Sequence, residues 1–225
     1  YPLTAGLPEL RQACADWMRR RYDGLTVNPD TEVLPVLGSR EALFSFVQTV
    51  LNPVSDDLKP IVLSPNPFYQ IYEGAAILGG GEIRFANCPA PSFKPDWKSI
   101  TEDVWQRTKV MFVCSPNNPS GSVLQLEDWQ EIFDLQDKYG FIIASDECYS
   151  EIYFDGNKPI GGLQAAAQLG RGNRNIVMFT SLSKRSNVPG LRSGFVAGDA
   201  ELLKNFLLYR TYHGSAMSIP VQRAS

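Results

Sequence analysis

Apolar residues recur every three or four positions between Glu9 and Tyr22. Leu10, Ala13, Cys14, Trp17, Met18 and Tyr22 share one face, which predicts a helix ended by Asp23-Gly24. Glu32–Leu37 follows as a short apolar run of strand type, then a helical pattern over Glu41–Leu51. Ile61–Ser64 reads as a second strand. Tyr69–Leu78 reads as a helix closed by three glycines, and Glu82–Phe85 as a third strand. After a proline-rich loop over Pro89–Pro95, Lys109–Cys114 holds four consecutive large apolar residues, the mark of a strand buried on both faces. Leu126, Trp129, Ile132, Phe133 and Tyr139 are spaced for an amphipathic helix, with Gly140 as its C-terminal cap. Phe141–Ala144, Ile176–Phe179 and Gly194–Ala197 predict three more strands, and Ala200–Tyr212 a closing helix.

Strands alternating with helices predict an α/β fold: a mostly parallel sheet with helices on both faces, in one large domain over residues 1–225. Composition agrees. Apolar residues are 44% of the 225, charged residues 20%, and the net charge is −3, which excludes a largely disordered chain and a general nucleic-acid binder. With His213 as the single histidine and no CxxC, no metal site is expected. Cys14, Cys88, Cys114 and Cys148 are scattered, and there is no glycosylation sequon, so a reducing, cytoplasmic setting is expected. No apolar run reaches the roughly 20 residues of a membrane span. The chain begins at Tyr1 and stops at Ser225 in mid-pattern, so a piece of a longer protein is expected.

In an open α/β sheet, ligands sit beyond the carboxyl ends of the strands, so the residues following each strand are the candidates. Gly38-Ser39-Arg40 opens a helix, whose free N–H groups suit a phosphate or an ordinary serine cap. Ser115 to Gly121 is rich in turn formers and carries Asn117-Asn118. Asp146 follows an apolar strand, where a carboxylate needs a cationic partner unless it is a helix cap. Lys184 follows another, with Ser181 and Ser183 beside it and Arg192 eight residues on. A loop lysine and a surface ion pair are the plain alternatives. Taken together, the strand ends offer a phosphate nest, an amide, a carboxylate with a phenol, and an amine with a guanidinium. That set matches the needs of pyridoxal phosphate: an amine for the aldehyde, a carboxylate for the ring nitrogen, and donors for the ring oxygen and the phosphate.

Seven motifs strengthen the match: Tyr1-x4-Gly6-x-Pro8-Glu9-Leu10-Arg11, Gly38-Ser39-Arg40-Glu41-Ala42, Pro67-x-Tyr69-x-x-Tyr72-Glu73, Asn118-Pro119-Ser120-Gly121, Asp146-Glu147-x-Tyr149, Ser181-x-Ser183-Lys184 and Arg192-x-Gly194. In order and spacing the chain resembles the class I/II aminotransferases of pyridoxal-phosphate fold type I, over essentially its whole length. The resemblance implies the large cofactor-binding domain of that fold. It implies that Lys184 is the catalytic residue, bonding the cofactor aldehyde and later shuttling the proton. Asp146 then pairs with the ring nitrogen, Asn118 and Tyr149 bond the ring oxygen, and Tyr69 stacks on the ring. Ser39, Arg40 through its backbone, Ser181 and Arg192 hold the phosphate, with Ser183 adjacent. Tyr1 matches a tyrosine that reaches the phosphate of a neighbouring subunit, which implies a homodimer with shared sites. Tyr72 and Arg11 are read as structural, and His213 as a structural or capping group.

A narrower resemblance rests on Val33–Leu43, Asn66–Ala76, Asn187–Phe195 and Tyr209–Ser218, which are similar to succinyldiaminopimelate aminotransferases of bacterial lysine biosynthesis. It implies transfer of an amino group from glutamate to N-succinyl-2-amino-6-oxopimelate. The small-domain arginine that grips the substrate α-carboxylate in that family, and an N-terminal substrate segment, have no counterpart here. Another enzyme of the same fold, such as a β-lyase or a different transaminase, therefore stays open, as does a non-catalytic domain of a regulator.

Overall fold

Two buried strands set the frame. Thr108–Cys114 (β4) and Ile142–Asp146 (β5) pair in parallel, with Cys114 opposite Asp146. The computed structural model describes residues 1–51 and 58–225. Around this pair lie Val33–Val36 (β1), Ile61–Asn66 (β2), Glu82–Asn87 (β3), Ile176–Ser181 (β6) and Gly194–Gly198 (β7), in the order β1-β7-β6-β5-β4-β2-β3. The sheet is parallel from β6 to β3, as expected. β7 runs antiparallel to both β6 and β1, an arrangement no periodicity in the chain announces.

The apolar runs are continuous because both sheet faces are covered. Successive residues of one strand enter different cores. Met111, Val113, Ile143, Met178 and Phe195 pack with Trp97, Trp105 and Trp129 on one side. Val110, Phe112, Ala144, Val177, Phe179 and Val196 pack with Phe46, Tyr72 and Phe206 on the other. The first side is closed by the helices Pro8–Arg21 (α1), Leu126–Tyr139 (α5) and Gly162–Gln168 (α6). The second is closed by Ser39–Val50 (α2), Ile71–Leu78 (α3) and Ala200–His213 (α8).

Three short helices, Glu102–Arg107 (α4), Leu182–Arg185 (α7) and Ile219–Ala224 (α9), and α6 itself escape the sequence reading. Each is six residues or fewer, or alanine-rich, so a 3.6-residue period has too few apolar positions to register. The four cysteines are unpaired. Among the described residues, no helix is long and apolar enough to cross a membrane, and no cluster of His, Cys, Asp or Glu is arranged to hold a metal.

Candidate active site

The carboxyl ends of β4, β5 and β6 and the start of α2 surround one cavity of about 440 Å³. Its walls include Ser39, Arg40, Tyr69, Asn118, Asp146, Tyr149, Ser181, Ser183, Lys184 and Arg192. The structure thus brings together nine of the ten residues singled out as cofactor-binding, and Ser183 with them. Tyr1 is the exception: it is fully exposed and does not line the cavity of its own chain.

At the floor, Asp146 is 4% exposed and is the last residue of β5. Its Oδ1 accepts the Cys148 N–H at 3.2 Å, and its Oδ2 accepts the Tyr72 hydroxyl at 2.7 Å. Burial pushes the carboxyl above the ordinary carboxylate range, and these donors oppose the rise without cancelling it. Among the described residues its hydrogen-bond partners are neutral donors, while the cations Arg40, Lys184 and Arg192 stand elsewhere on the cavity wall. Tyr72, expected to be structural, is in direct contact with the central carboxylate. The sequence signal that could have found it is its place in the motif Pro67-x-Tyr69-x-x-Tyr72-Glu73, three residues after Tyr69.

One wall joins the start of α2 to Arg192 and Ser181. Gly38, with φ 85° and ψ 161°, precedes the first turn of α2 and has a backbone that essentially only glycine adopts. A Cβ there would lie 2.7 Å from the Arg192 Nη2, so the glycine also admits the guanidinium. Arg192 itself donates to the carbonyls of Pro189 at 2.9 Å and Leu37 at 3.2 Å. Ser181, paired with Gly194 at the end of β6, is buried. The Cys148 thiol donates to the Ser39 Oγ at 2.9 Å and lies 3.8 Å from the Ser181 Oγ, tying the two hydroxyls together. Cys148 also lines the cavity, and the sequence reading passed it over although it stands between Asp146 and Tyr149. Burial, with the Asp146 charge, raises its thiol well above the usual value, so it acts as a neutral donor.

The opposite wall is aromatic. The Arg40 Nε donates to the Tyr69 hydroxyl at 2.5 Å, with the guanidinium 5.6 Å from the ring centre. Lys184, in α7, places its Nζ 6.0 Å from the Tyr149 ring centre. Burial and the Asp146 charge raise the Tyr149 hydroxyl, which remains a donor through neutrality.

Arg11 donates to the carbonyls of Ala5, Gly6 and Pro29 and pairs with Asp30. The His213 Nδ1 is 2.5 Å from the Ser215 Oγ at the end of α8. Beneath the site, Glu147 is a fully buried carboxyl that accepts from Tyr22, Ser145 and the Gly162 N–H, each at 2.9 Å. Arg210, also fully buried, grips Glu41 in the first turn of α2 at 2.6 and 2.8 Å.

A family model for aminotransferase class I and II matches residues 1–224. The LL-diaminopimelate aminotransferase of Dehalococcoides mccartyi is 35% identical over 225 residues, covering 99% of this chain and 55% of that protein. A solved aminotransferase from Neisseria meningitidis Z2491 superimposes with a TM-score of 0.97 at 83% identity, covering 100% of this chain and 56% of that one. A probable N-succinyldiaminopimelate aminotransferase from Thermus thermophilus does so with a TM-score of 0.86 at 28% identity, covering 96% and 55%. The chain therefore spans little more than half the length of these proteins. Matched along its whole length by a family whose enzymes use pyridoxal phosphate, the chain belongs to the class I and II aminotransferases.

Proposed function

We propose that this chain is the cofactor-binding domain, residues 1–225, of a pyridoxal-phosphate-dependent aminotransferase. One observation carries the reading: a single cavity gathers an amine, a buried carboxylate held by neutral donors, aromatic rings and an anion-binding wall. The donor set fits the cofactor. Arg192, the hydroxyls of Ser39 and Ser181, and the N–H groups of Ser39 and Arg40 at the start of α2 would hold its phosphate. Asp146 would hold a protonated ring nitrogen, whose positive charge offsets the cost of burying the carboxylate. Asn118 and Tyr149 would bond the ring oxygen, and Tyr69 would cover a ring face. When bound, pyridoxal phosphate supplies an aldehyde that takes up amino groups and a ring that accepts electron density. Lys184 would provide the amine for that aldehyde and, once released, take and return a proton at its Nζ.

The substrate reading is finer. The four stretches that resemble succinyldiaminopimelate aminotransferases, together with the similarity to the Thermus thermophilus protein of that name, favour N-succinyl-2-amino-6-oxopimelate as acceptor and glutamate as donor. The Dehalococcoides mccartyi relative, named for LL-diaminopimelate, favours the same carbon skeleton without the succinyl group. Two copies are proposed to form a cytoplasmic homodimer, with Tyr1 of each serving the phosphate site of the other.

Borohydride reduction of the complete gene product loaded with pyridoxal phosphate, followed by peptide mass spectrometry, tests the site. The pyridoxyl group is expected on Lys184, and its appearance on another lysine overturns the assignment. Turnover with glutamate is then compared for succinylated and unsuccinylated acceptors by following 2-oxoglutarate. Equal or faster turnover of the unsuccinylated compound refutes the succinyl reading. Light scattering gives the oligomeric state, and a monomer with full activity refutes the shared site.

A further inference from the structure

We propose that Tyr72 is a positioning residue whose hydroxyl holds the Asp146 carboxylate ionised and aimed into the cavity, and so keeps the cofactor ring nitrogen protonated. The inference rests on the cofactor reading above and adds a residue and a task to it. Tyr72 is 1% exposed, in the first turn of α3. Its ring lies flat on Phe112 of β4, with centroids 4.1 Å apart and planes 16° apart, and meets Tyr69 edge-on at 5.9 Å. The strand below and the cavity-lining aromatic beside it therefore fix the ring. Its hydroxyl donates to the Asp146 Oδ2 at 2.7 Å.

Asp146 is thus held from two sides, Oδ2 by Tyr72 of α3 and Oδ1 by the N–H of Cys148 beyond β5. Among the described residues, the titratable groups packed around the carboxylate are Tyr72, Cys114 at the end of β4, Cys148 and Tyr149, and the cations Arg40, Lys184 and Arg192 line the cavity it faces. Burial and the Asp146 charge hold the two tyrosines and two cysteines above their ordinary values, so each stays neutral and Tyr72 stays a donor at any working pH. A proton shared between the carboxylate and a ring nitrogen lies on the nitrogen only if the carboxylate is the better stabilised partner. A hydrogen bond to the ionised oxygen favours that side, and removing it favours proton return to Asp146.

The test uses the complete gene product loaded with pyridoxal phosphate labelled with 15N in the ring, followed by NMR across pH, with three variants. Tyr72→Phe keeps the stacked ring and removes the hydroxyl. The ring-nitrogen resonance is expected to move downfield, with the protonated fraction falling by about tenfold to a hundredfold in ratio. Tyr72→3-fluorotyrosine retains the fold and strengthens the donor, so ring protonation is expected to persist to higher pH. Asp146→Asn tests the underlying reading. If it leaves the resonance unmoved, Asp146 is not the ring's partner and the site reading itself falls. If Asp146→Asn moves the resonance while both Tyr72 variants match the parent at every pH, the role of Tyr72 is overturned, whatever either does to the thermal midpoint.

Discussion

Arg210→Met removes a cation that enters the core beneath the first turn of α2. The guanidinium is 0% exposed and directs Nη1 at both oxygens of Glu41 and Nη2 at the Ser215 carbonyl, the latter at 2.7 Å. Glu41, 19% exposed, also accepts from the Ser45 hydroxyl at 2.9 Å and the Leu37 N–H at 3.3 Å. The substitution therefore strands a nearly buried carboxylate and a buried carbonyl. Breaking such a pair from one side costs about 3–5 kcal/mol. At about 2–4 °C per kcal/mol for a domain of this size, the thermal midpoint of the apoprotein is expected to fall by about 6–20 °C. The double variant Glu41→Leu/Arg210→Met removes both charges. It is expected to recover at least half of the loss, because the pair's own balance is poor: among the described residues the buried Arg210 Nε has no hydrogen-bond partner. Since Glu41 braces the turn that carries Gly38, Ser39 and Arg40, the single variant is also expected to bind pyridoxal phosphate more weakly, as measured by quenching of tryptophan fluorescence. A loss below about 1 kcal/mol with unchanged cofactor affinity would show that the pair is an ordinary surface contact in energetic terms, and the reasoning would fail.

Three further outcomes are expected. Burial raises the folded-state values of Glu147 and Asp146, so between the ordinary carboxylate range and those raised values the folded apoprotein holds protons that the unfolded chain has released. Its unfolding free energy therefore falls as pH rises through that window; urea titrations should show this, with a smaller slope in Glu147→Gln, and an unchanged slope refutes the assignment. Gly194→Ala places a Cβ 2.5 Å from the Thr180 carbonyl across the β6–β7 pair and should cost about 1–3 kcal/mol in denaturant unfolding, so a neutral effect would mean the strands can part there. Gly38→Ala forces a backbone that alanine avoids and displaces Arg192, and isothermal titration should find pyridoxal phosphate affinity down by about tenfold or more.

Much of this architecture is legible in the chain because it rests on local periodicity. The β4 run Val110–Val113 has to be buried on both faces, and Leu126–Tyr139 has to turn one face inward, wherever they end up. The candidate site is legible for a related reason: an α/β sheet puts ligands at its strand ends, which marks the Asn117-Asn118 pair, Asp146, Ser181 and Lys184 as candidates, while the choice of Asn118 and the roles of all of them come from the family resemblance. Three features depended on assembly. The reversed direction of β7 follows from strand pairing across the sheet, Gly194 with Ser181 and Phe195 with Pro35, which no pattern along one strand encodes. The task of Tyr72 arises because α3 and β5, 74 residues apart, meet at a single hydrogen bond. Arg210 and Glu41 look like ordinary helix-surface charges until α8 packs on α2, across 169 residues, and buries the guanidinium against a partly exposed carboxylate. Sequence decides which residues must be buried and where a ligand can sit. Only the fold decides which distant polar groups are desolvated against one another, and that desolvation makes a tyrosine or an arginine matter.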